Sequence, residues 1–113
     1  MLPSPYRLKK KSDFEFLLKK GKSHSSGLVA IKFIDNSEQN SRFGFLAAKK
    51  SFKKATLRNK VRRKLREQLQ QRLALIKPGK DIVIIARSGI EKYKSVEVGK
   101  QIEILLAQAK LLK

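Results

Sequence analysis

The sequence predicts an α+β domain, in which helices pack as a layer on a small β-sheet. Two patterns of apolar residues predict this fold class. In one long basic segment an apolar residue recurs every four positions, which is the row spacing of one helix face. Shorter apolar and β-branched runs, at residues 28–34 and 81–86, are typical of strands. The length of 113 residues favours a single domain over residues 1–113.

The first predicted helix follows a short N-terminal segment. Two prolines within residues 1–6 indicate an extended leader. Ser12 and Glu15 have the spacing of a capping box, so the helix is predicted to have Ser12 as its N-cap. It should run to about Lys20 and stop at Gly21, since glycine is common just beyond a helix end. Its apolar face consists of Phe14, Leu17 and Leu18.

Two strands are predicted between this helix and the basic segment. Residues 24–27 are predicted to form a loop, or at most a short edge strand. A strand over 28–34, a polar turn over 35–40 and a strand over 42–48 are predicted to form a β-hairpin. Gly44 has two interpretations of about equal weight. The first is a close approach of another backbone segment or a bulge, and the second is a packing role alone.

The long basic helix is predicted to begin near Thr56, a possible N-cap, and to end before the Pro-Gly pair at residues 78–79. Its apolar stripe consists of Leu57, Val61, Leu65, Leu69 and Leu73. Residues 81–86 are predicted to be a buried strand, and residues 88–93 a loop or short helical turn. From Val96 onward the apolar spacing predicts a terminal amphipathic helix.

The net charge of +19, from 28 Lys and Arg against nine Asp and Glu, predicts a polyanionic partner. Nucleic acid is favoured over an anionic membrane surface. Ten of the eighteen residues from Lys49 to Arg66 are basic and none is acidic. Like charges four residues apart on a helix repel, so a merely solvated basic helix is the less favoured interpretation. A bound polyanion would turn that repulsion into attraction.

Several function classes find no support in the sequence. The chain has no cysteine, so disulfides and thiolate metal sites are excluded. His24 is the only histidine and lies in a serine-rich stretch, where a solvated side chain is expected. The acids are scattered without metal-ligand spacing, so no residue set is expected to cut a phosphodiester alone. No apolar run approaches about 18 residues, so a cytoplasmic protein is expected.

A specific motif lies on the basic helix and on the segment that leads into it. Its residues are Phe52, Ala55, Arg58, Asn59, Lys60, Val61, Arg62, Arg63, Leu65 and Arg66. The motif resembles the signature of the bacterial ribonuclease P protein subunit. The resemblance covers roughly residues 6–87, and its flanking parts are Arg7-Leu8-Lys9, Asp13-Phe14, Arg42-x-Gly44, Lys49-Lys50 and Asp81-Ile82-Val83.

The resemblance implies a two-layer helix–sheet sandwich of order αβββαβα. It also implies a left-handed crossover through the basic helix, against the usual right-handed preference. The implied function is that of an RNA-binding accessory subunit. A catalytic RNA removes the 5′ leader of precursor tRNA with magnesium, and the protein holds that leader between its first helix and the sheet. No catalytic residue, metal or cofactor is implied on the protein, and no membrane or DNA partner is expected.

The resemblance also implies two sets of site residues. The set for the catalytic RNA is Lys49, Lys50, Lys53, Lys54, Arg58, Asn59, Lys60, Arg62, Arg63 and Arg66. The set for the leader is Arg7, Lys9, Phe14, Leu18 and Lys32. The sequence departs from the family pattern at four of these positions. Lys53 replaces a frequent glycine, Lys60 a frequent arginine, and Leu18 and Lys32 frequent aromatic residues of the cleft.

Three other functions compete with this one. A structural RNA-binding protein of the ribosomal type would share the charge and the α+β build, but it has no reason to carry the Arg-Asn motif. A DNA binder could place the basic helix in a major groove, although no helix-turn-helix pair precedes that helix. A membrane-surface protein is least favoured, because the apolar face of the helix is needed for the core.

Overall fold

A four-stranded sheet with three helices makes up the structure, a computed structural model that describes residues 2–113. In chain order the elements are α1 (Lys11–Lys20), β1 (Lys22–Ser25), β2 (Val29–Asp35), β3 (Arg42–Ala47), α2 (Ala55–Gln70), β4 (Lys80–Ala86) and α3 (Ser95–Gln108). The α+β class and the order αβββαβα are confirmed. The segment at residues 24–27 is partly an edge strand, and the predicted turn of helix after β4 is a 3-10 turn at Ile90–Lys92.

The spatial order of the strands is β1-β2-β4-β3. The predicted hairpin of β2 and β3 is therefore wrong, because β4 lies between them. β4 pairs antiparallel with β2 and parallel with β3. Four successive residues of β4, Asp81 to Ile84, are buried, as expected for a strand of a sheet that is covered on both faces. The crossover between parallel β3 and β4 runs through α2. Its left hand stays a prediction.

The sheet and the helix pair α2–α3 form the main layers of the molecule. Alternate residues of β4 face opposite sides of the sheet, as its pleat requires. Ile82 and Ile84 belong to the main core, which α2 and α3 cover. Val83 faces the other side, where it packs with Leu17 of α1 and with Leu8. Because α1 crosses only part of this second face, some of the sheet there is left half-exposed.

Residues 2–6 do not form the predicted extended leader, whose first residue, Met1, lies outside the described residues. Ser4–Tyr6 forms a 3-10 turn, and the side chain of Leu2 is buried in the main core with 2% exposure. The Nε of Arg7 donates to the carbonyl oxygen of Leu2 at 2.7 Å, and the amide of Leu8 donates to the Phe43 carbonyl at 2.9 Å. The prolines restrict this segment locally, but burial of one leucine side chain brings it back onto β3.

Leu2→Ala is therefore expected to lower the free energy of unfolding by about 2–5 kcal/mol, as for other buried leucines. Urea unfolding followed by circular dichroism measures the change. Leu75→Ala is the matched control, because that leucine is 52% exposed and its truncation should cost less than about 0.5 kcal/mol. Equal stability of the two variants would show that the N-terminal segment does not contribute to the core.

Both predicted N-caps are wrong. α1 begins at Lys11, and the amides of Asp13 and Phe14 donate to the carbonyl of Lys10, so Ser12 lies inside the first turn. No side chain caps α1. α2 likewise begins after Lys54 rather than at Thr56, again without a side-chain cap. The propensity of Ser and Thr for N-caps is a local preference that packing of the helix overrides here.

The end of α2 lies before the Pro-Gly pair, as predicted. The helix stops at Gln70, and the chain continues through a 3-10 turn at Leu73–Leu75. The apolar stripe is confirmed within the helix, where Val61, Leu65 and Leu69 are buried. The last member of the stripe, Leu73, packs on the same core from the 3-10 turn.

Candidate nucleic-acid interface

The outward side of α2 is a continuous basic surface. It consists of Asn59, Lys60, Arg62, Arg63, Lys64 and Arg66, and is called here the basic helix surface. Asn59, Lys60 and Arg63 are exposed, and the other three side chains are half-buried. The lysines that precede the helix, Lys49, Lys50, Lys53 and Lys54, are also exposed. The buried stripe on the opposite side of α2 fixes the orientation of this surface on the core.

Three side chains of the basic helix surface are held by neighbours. The guanidinium of Arg62 donates to the Oδ1 of Asn59, one turn earlier on the helix. The guanidinium carbon of Arg66 lies 5.9 Å from the centre of the Phe45 ring, a cation–π contact with β3. The Nζ of Lys64 donates to the carbonyl of Tyr93 at 2.9 Å. These contacts restrict the side chains before any ligand binds.

Arg58 differs from the other basic residues of the motif. Its Nη1 donates to the carbonyl oxygens of Phe52 and Lys53, at 2.8 and 3.0 Å. Phe52 is fully buried, so this guanidinium ties the basic connection before α2 to the core. The four-residue spacing places Arg58 in one row with Arg62 and Arg66. This row lies beside the buried stripe of α2, and the side chain of Arg58 turns inward. Lys53, which replaces a frequent glycine of the family, does not have a positive φ, so the backbone at this residue is unstrained.

Phe14 lies on the other face of the sheet, directly over Gly44. A Cβ atom placed on Gly44 would lie 2.4 Å from the Cε1 and Cζ atoms of the Phe14 ring. The packing interpretation of Gly44 is therefore the correct one, because the approaching group is a side chain and not backbone. The register of β3 with β4 is unbroken at Gly44, so the alternative of a close backbone approach or a bulge is wrong. The ring of Phe14 remains half-buried, with part of it open to solvent.

Lys32 and Leu18 meet at the far end of α1. The Nζ of Lys32 donates to the carbonyl oxygen of Leu18 at 2.6 Å. That carbonyl is in the last turn of α1, where a cation favourably opposes the negative end of the helix dipole. The ammonium group of Lys32, which is predicted to belong to the leader site, thus caps the C-terminal end of α1. Arg7 and Lys9 likewise bind their own N-terminal segment, at Leu2 and at the hydroxyl of Ser4.

Beside α1, one row of residues crosses the open part of this face. Ala30, Ile85 and Leu46 are paired across β2, β4 and β3, and all three are half-buried. Together with Phe14 and Leu18 they form a half-buried apolar surface, called here the sheet cleft. Sequence reasoning missed the three strand residues. All three lie in predicted strands, but their alignment depends on the register of those strands.

A groove at the edge of β3, called here the edge groove, connects the sheet cleft with the basic helix surface. Its volume is about 190 Å³, and its lining includes Arg7, Phe14, Gly44, Phe45, Arg62 and Arg66. Phe14 belongs to the sheet cleft, whereas Arg62 and Arg66 belong to the basic helix surface. The two sets of residues predicted separately from the sequence are therefore neighbours around one edge of the sheet.

A buried ion pair holds this side of the molecule together. Arg42 donates from Nε and Nη2 to the two carboxylate oxygens of Asp81, at 2.9 and 2.7 Å. The Asp81 carboxylate raises the pKa of Arg42 above its ordinary value. Asn36 donates to the same carboxylate at 2.7 Å, and Asp13 of α1 lies 3.7 Å from the Nη1 of Arg42. Asp81 thus links β4 to β3 through Arg42, and the contact of Arg42 with Asp13 extends the link to the start of α1.

A profile of the family described as Ribonuclease P matches residues 2–110 of this chain. The chain belongs to the ribonuclease P protein family. A ribonuclease P protein component from Pseudanabaena is 32% identical over 113 residues, covering 99% of this chain and 97% of the relative. One from Oceanobacillus iheyensis is 34% identical and covers 96% of this chain and 89% of the relative.

Solved structures of ribonuclease P proteins have the same fold. The Staphylococcus aureus protein matches with a TM-score of 0.84 and 31% identity, covering 96% of this chain and 98% of that one. The Thermotoga maritima protein matches with a TM-score of 0.81 and 32% identity, covering 90% and 96%. The chain is thus an accessory subunit of a ribonuclease P enzyme, which acts in 5′ processing of tRNA. This family membership argues against the alternative of a structural RNA-binding protein of the ribosomal type.

Two further features concern the described residues as a whole. Among residues 2–113, no helix is both long and apolar enough to cross a membrane. Within that same part of the chain, no three His, Asp or Glu side chains come close enough together to hold a metal ion.

Proposed function

We propose that the protein holds two RNA segments at once. The basic helix surface binds the RNA subunit of ribonuclease P, and the sheet cleft binds the single-stranded 5′ leader of precursor tRNA. The RNA subunit carries out the cleavage with magnesium ions. The observation that carries this proposal is the edge groove, in which Phe14 of the sheet cleft and Arg62 and Arg66 of the basic helix surface line the same cavity.

The basic helix surface suits a folded RNA. Its cations lie on a rigid helix whose opposite side is buried, so their spacing does not depend on a flexible tail. Arg62 and Arg66 are each held by a neighbouring side chain, which lowers the entropy lost when they contact phosphates. Contacts of this kind position a protein on the phosphate backbone and release counterions.

The sheet cleft suits unpaired nucleotides. The half-buried ring of Phe14 is fixed over Gly44, and an apolar floor of Ala30, Leu46 and Ile85 lies beside it. A base stacked on such a ring gains about 1–3 kcal/mol, largely regardless of which base it is. This tolerance matches a leader, whose sequence differs from one precursor to another. The leader phosphates can then extend along the edge groove toward Arg7 and Arg62.

The division of labour follows from the side chains on the two surfaces. Hydrolysis of a phosphodiester needs an activated water and stabilisation of developing charge, commonly by metal ions. The two surfaces present ammonium and guanidinium groups, one amide and hydrocarbon, which position RNA but repel or ignore magnesium. We therefore assign the magnesium ions and the chemical step to the RNA subunit. The protein reduces the repulsion between two polyanions and so lowers the magnesium concentration needed for their docking.

Phe14→Ala should weaken binding of precursor tRNA to the assembled enzyme by about 5- to 150-fold, which corresponds to one stacked base. Binding of mature tRNA, which lacks the leader, should not change. Gly44→Ala should act in the same direction, because the new methyl group would overlap the Phe14 ring and displace it. The measurement is equilibrium binding of each RNA to enzyme that is reconstituted with each variant.

Phe16→Ala is the matched control for both variants. Phe16 lies on the same helix, two residues away, but its ring is 56% exposed and outside the sheet cleft. Circular dichroism must first show that each variant is folded. If precursor and mature tRNA lose affinity equally, or if Phe16→Ala has the same effect as Phe14→Ala, the leader is not bound in the sheet cleft.

A further inference from the structure

A second basic site lies at the opposite end of the sheet. It is a cavity of about 350 Å³, called here the lysine cavity. Its lining residues are Lys20, Lys22, Phe33, Ile34, Asp35, Lys80, Ala109, Lys110 and Leu111. Lys80 begins β4, whereas α2 starts beyond the far ends of β3 and β4. Since seven strand residues span about 20 Å, the lysine cavity is remote from the start of the basic helix.

Four lysines surround this cavity, and they come from four parts of the fold. Lys20 ends α1, Lys22 begins β1, Lys80 begins β4, and Lys110 follows α3. The only acid in the lining is Asp35, which accepts a hydrogen bond from the Nζ of Lys80. This bond and the charge of Lys80, followed by the charge of Lys22, lower the pKa of Asp35, so its carboxylate is ionised at neutral pH. One of four positive charges is thus neutralised, and three remain.

The backbone at Lys110 gives an independent reason to regard the cavity as a site. The amide of Leu111 donates to the Leu106 carbonyl and that of Lys110 to the Ala107 carbonyl, which is the Schellman arrangement at the end of α3. Glycine is usual at the position that Lys110 occupies, since φ there is +60°. Lys110 is the only non-glycine residue with a positive φ among residues 2–113. A residue that costs conformational free energy therefore directs a positive charge to this cavity.

We propose that the lysine cavity binds phosphodiester groups of RNA, as a contact separate from both the basic helix surface and the sheet cleft. The proposal rests on the proposed function, because it assumes that the protein works bound to RNA. Three uncompensated ammonium groups around one concave surface repel one another, and a phosphate backbone relieves that repulsion. The RNA subunit and the precursor tRNA present the same phosphodiester chemistry, so the experiment must separate these two sources.

The test uses the double variant Lys22→Thr/Lys110→Gly. Glycine accepts the positive φ at position 110 without strain, so this change removes a charge and should not lower the stability. Threonine suits the exposed start of the edge strand. The control variant, Lys92→Ala/Lys100→Ala, removes two exposed lysines that lie outside the lysine cavity. Thermal melting of both variants checks the fold, and Lys110→Gly alone replaces the double variant if the latter is less stable.

Affinity is measured against salt concentration, first for the RNA subunit and then for precursor tRNA with the reconstituted enzyme. Each lost phosphate contact should reduce the slope of log K against log salt by about 0.7–0.9, hence by about 1.4–1.8 for the double variant. A reduced slope for the RNA subunit assigns the cavity to that RNA. A reduced slope for precursor tRNA alone assigns it to the substrate. Slopes equal to those of the control variant in both measurements would overturn the proposal.

The same series separates this proposal from the proposed function. Phe14→Ala and an alanine variant of the basic helix surface are measured in parallel. If those variants lose RNA affinity while the lysine cavity variant does not, only the cavity proposal fails. If none of them loses affinity, the proposed function fails as well.

Discussion

Replacing Arg62, Arg63 and Arg66 together by alanine is expected to lower affinity for the RNA subunit of ribonuclease P by at least about a hundredfold. Hydrogen bonds to charged groups contribute about 1.5–3 kcal/mol each, and three of them would be lost. The slope of log K against log salt should fall by about 2–3. Arg58 is left intact, because its guanidinium binds the carbonyls of Phe52 and Lys53, and its loss would disturb the fold.

The same triple variant should fail to support cleavage of precursor tRNA at low magnesium. At high magnesium the RNA subunit should still cut, and the cut position should be unchanged, because the proposed role of the protein is docking and not chemistry. A control that removes the exposed cations Lys92, Lys94 and Lys100 lowers the net charge equally. If the control loses as much affinity as the triple variant, the attraction depends on total charge and not on the basic helix surface.

Asp81→Ala is expected to lower the free energy of unfolding by about 3–5 kcal/mol, the usual cost of breaking a buried ion pair by removing one partner. The side chain of Asp81 is 8% exposed, and that of Arg42 is 24% exposed. Without the carboxylate, the half-buried guanidinium of Arg42 keeps only the longer contact with Asp13, at 3.7 Å. The amide of Asn36 keeps only a hydrogen bond of 3.4 Å to the Asn40 carbonyl. Urea denaturation, with the unfolding curve extrapolated to water, measures the loss.

Two further variants sharpen this test. Asp35→Ala also removes the carboxylate of an ion pair with a lysine, but that side chain is 81% exposed, so little change in stability is expected. Replacing both buried partners, as in Arg42→Met/Asp81→Leu, should cost less than Asp81→Ala because no charge is left unpaired. A double variant as unstable as Asp81→Ala would show that hydrophobic residues cannot fill this place. A stable Asp81→Ala would mean that the ion pair does not anchor α1 and β3.

The presence of the basic helix and the side that it buries could be predicted from the sequence, although its N-cap could not. Its apolar stripe and its charged side are both set by residues three and four positions apart, and this spacing survives in any fold that buries one side of a helix. The buried strand at residues 81–86 was equally clear, because an apolar run of that length between turn signals has few alternatives. The Arg-Asn motif indicated the family, and the match of residues 2–110 to the Ribonuclease P profile agrees with it.

Features that depend on contacts distant in sequence could not be predicted in this way. The pattern of β2 and β3 is compatible with a hairpin, and only the pairing of β4 with both of them separates the two strands. Arg58 follows the same spacing as Arg62, yet a nearby carbonyl pair turns it inward. The burial of Leu2 likewise depends on a core that forms from later residues.

Sequence alone therefore determined the three helices and the strands β2, β3 and β4, which side of α2 is charged, and the family to which the chain belongs. Tertiary structure decided the order of the strands, the sheet cleft, the edge groove and the lysine cavity. The physical reason is that helix periodicity and charge rows are local properties of the chain. The sheet cleft, the edge groove and the lysine cavity instead depend on the register of several strands and on contacts between segments that are distant in sequence. Only the packed core specifies these contacts.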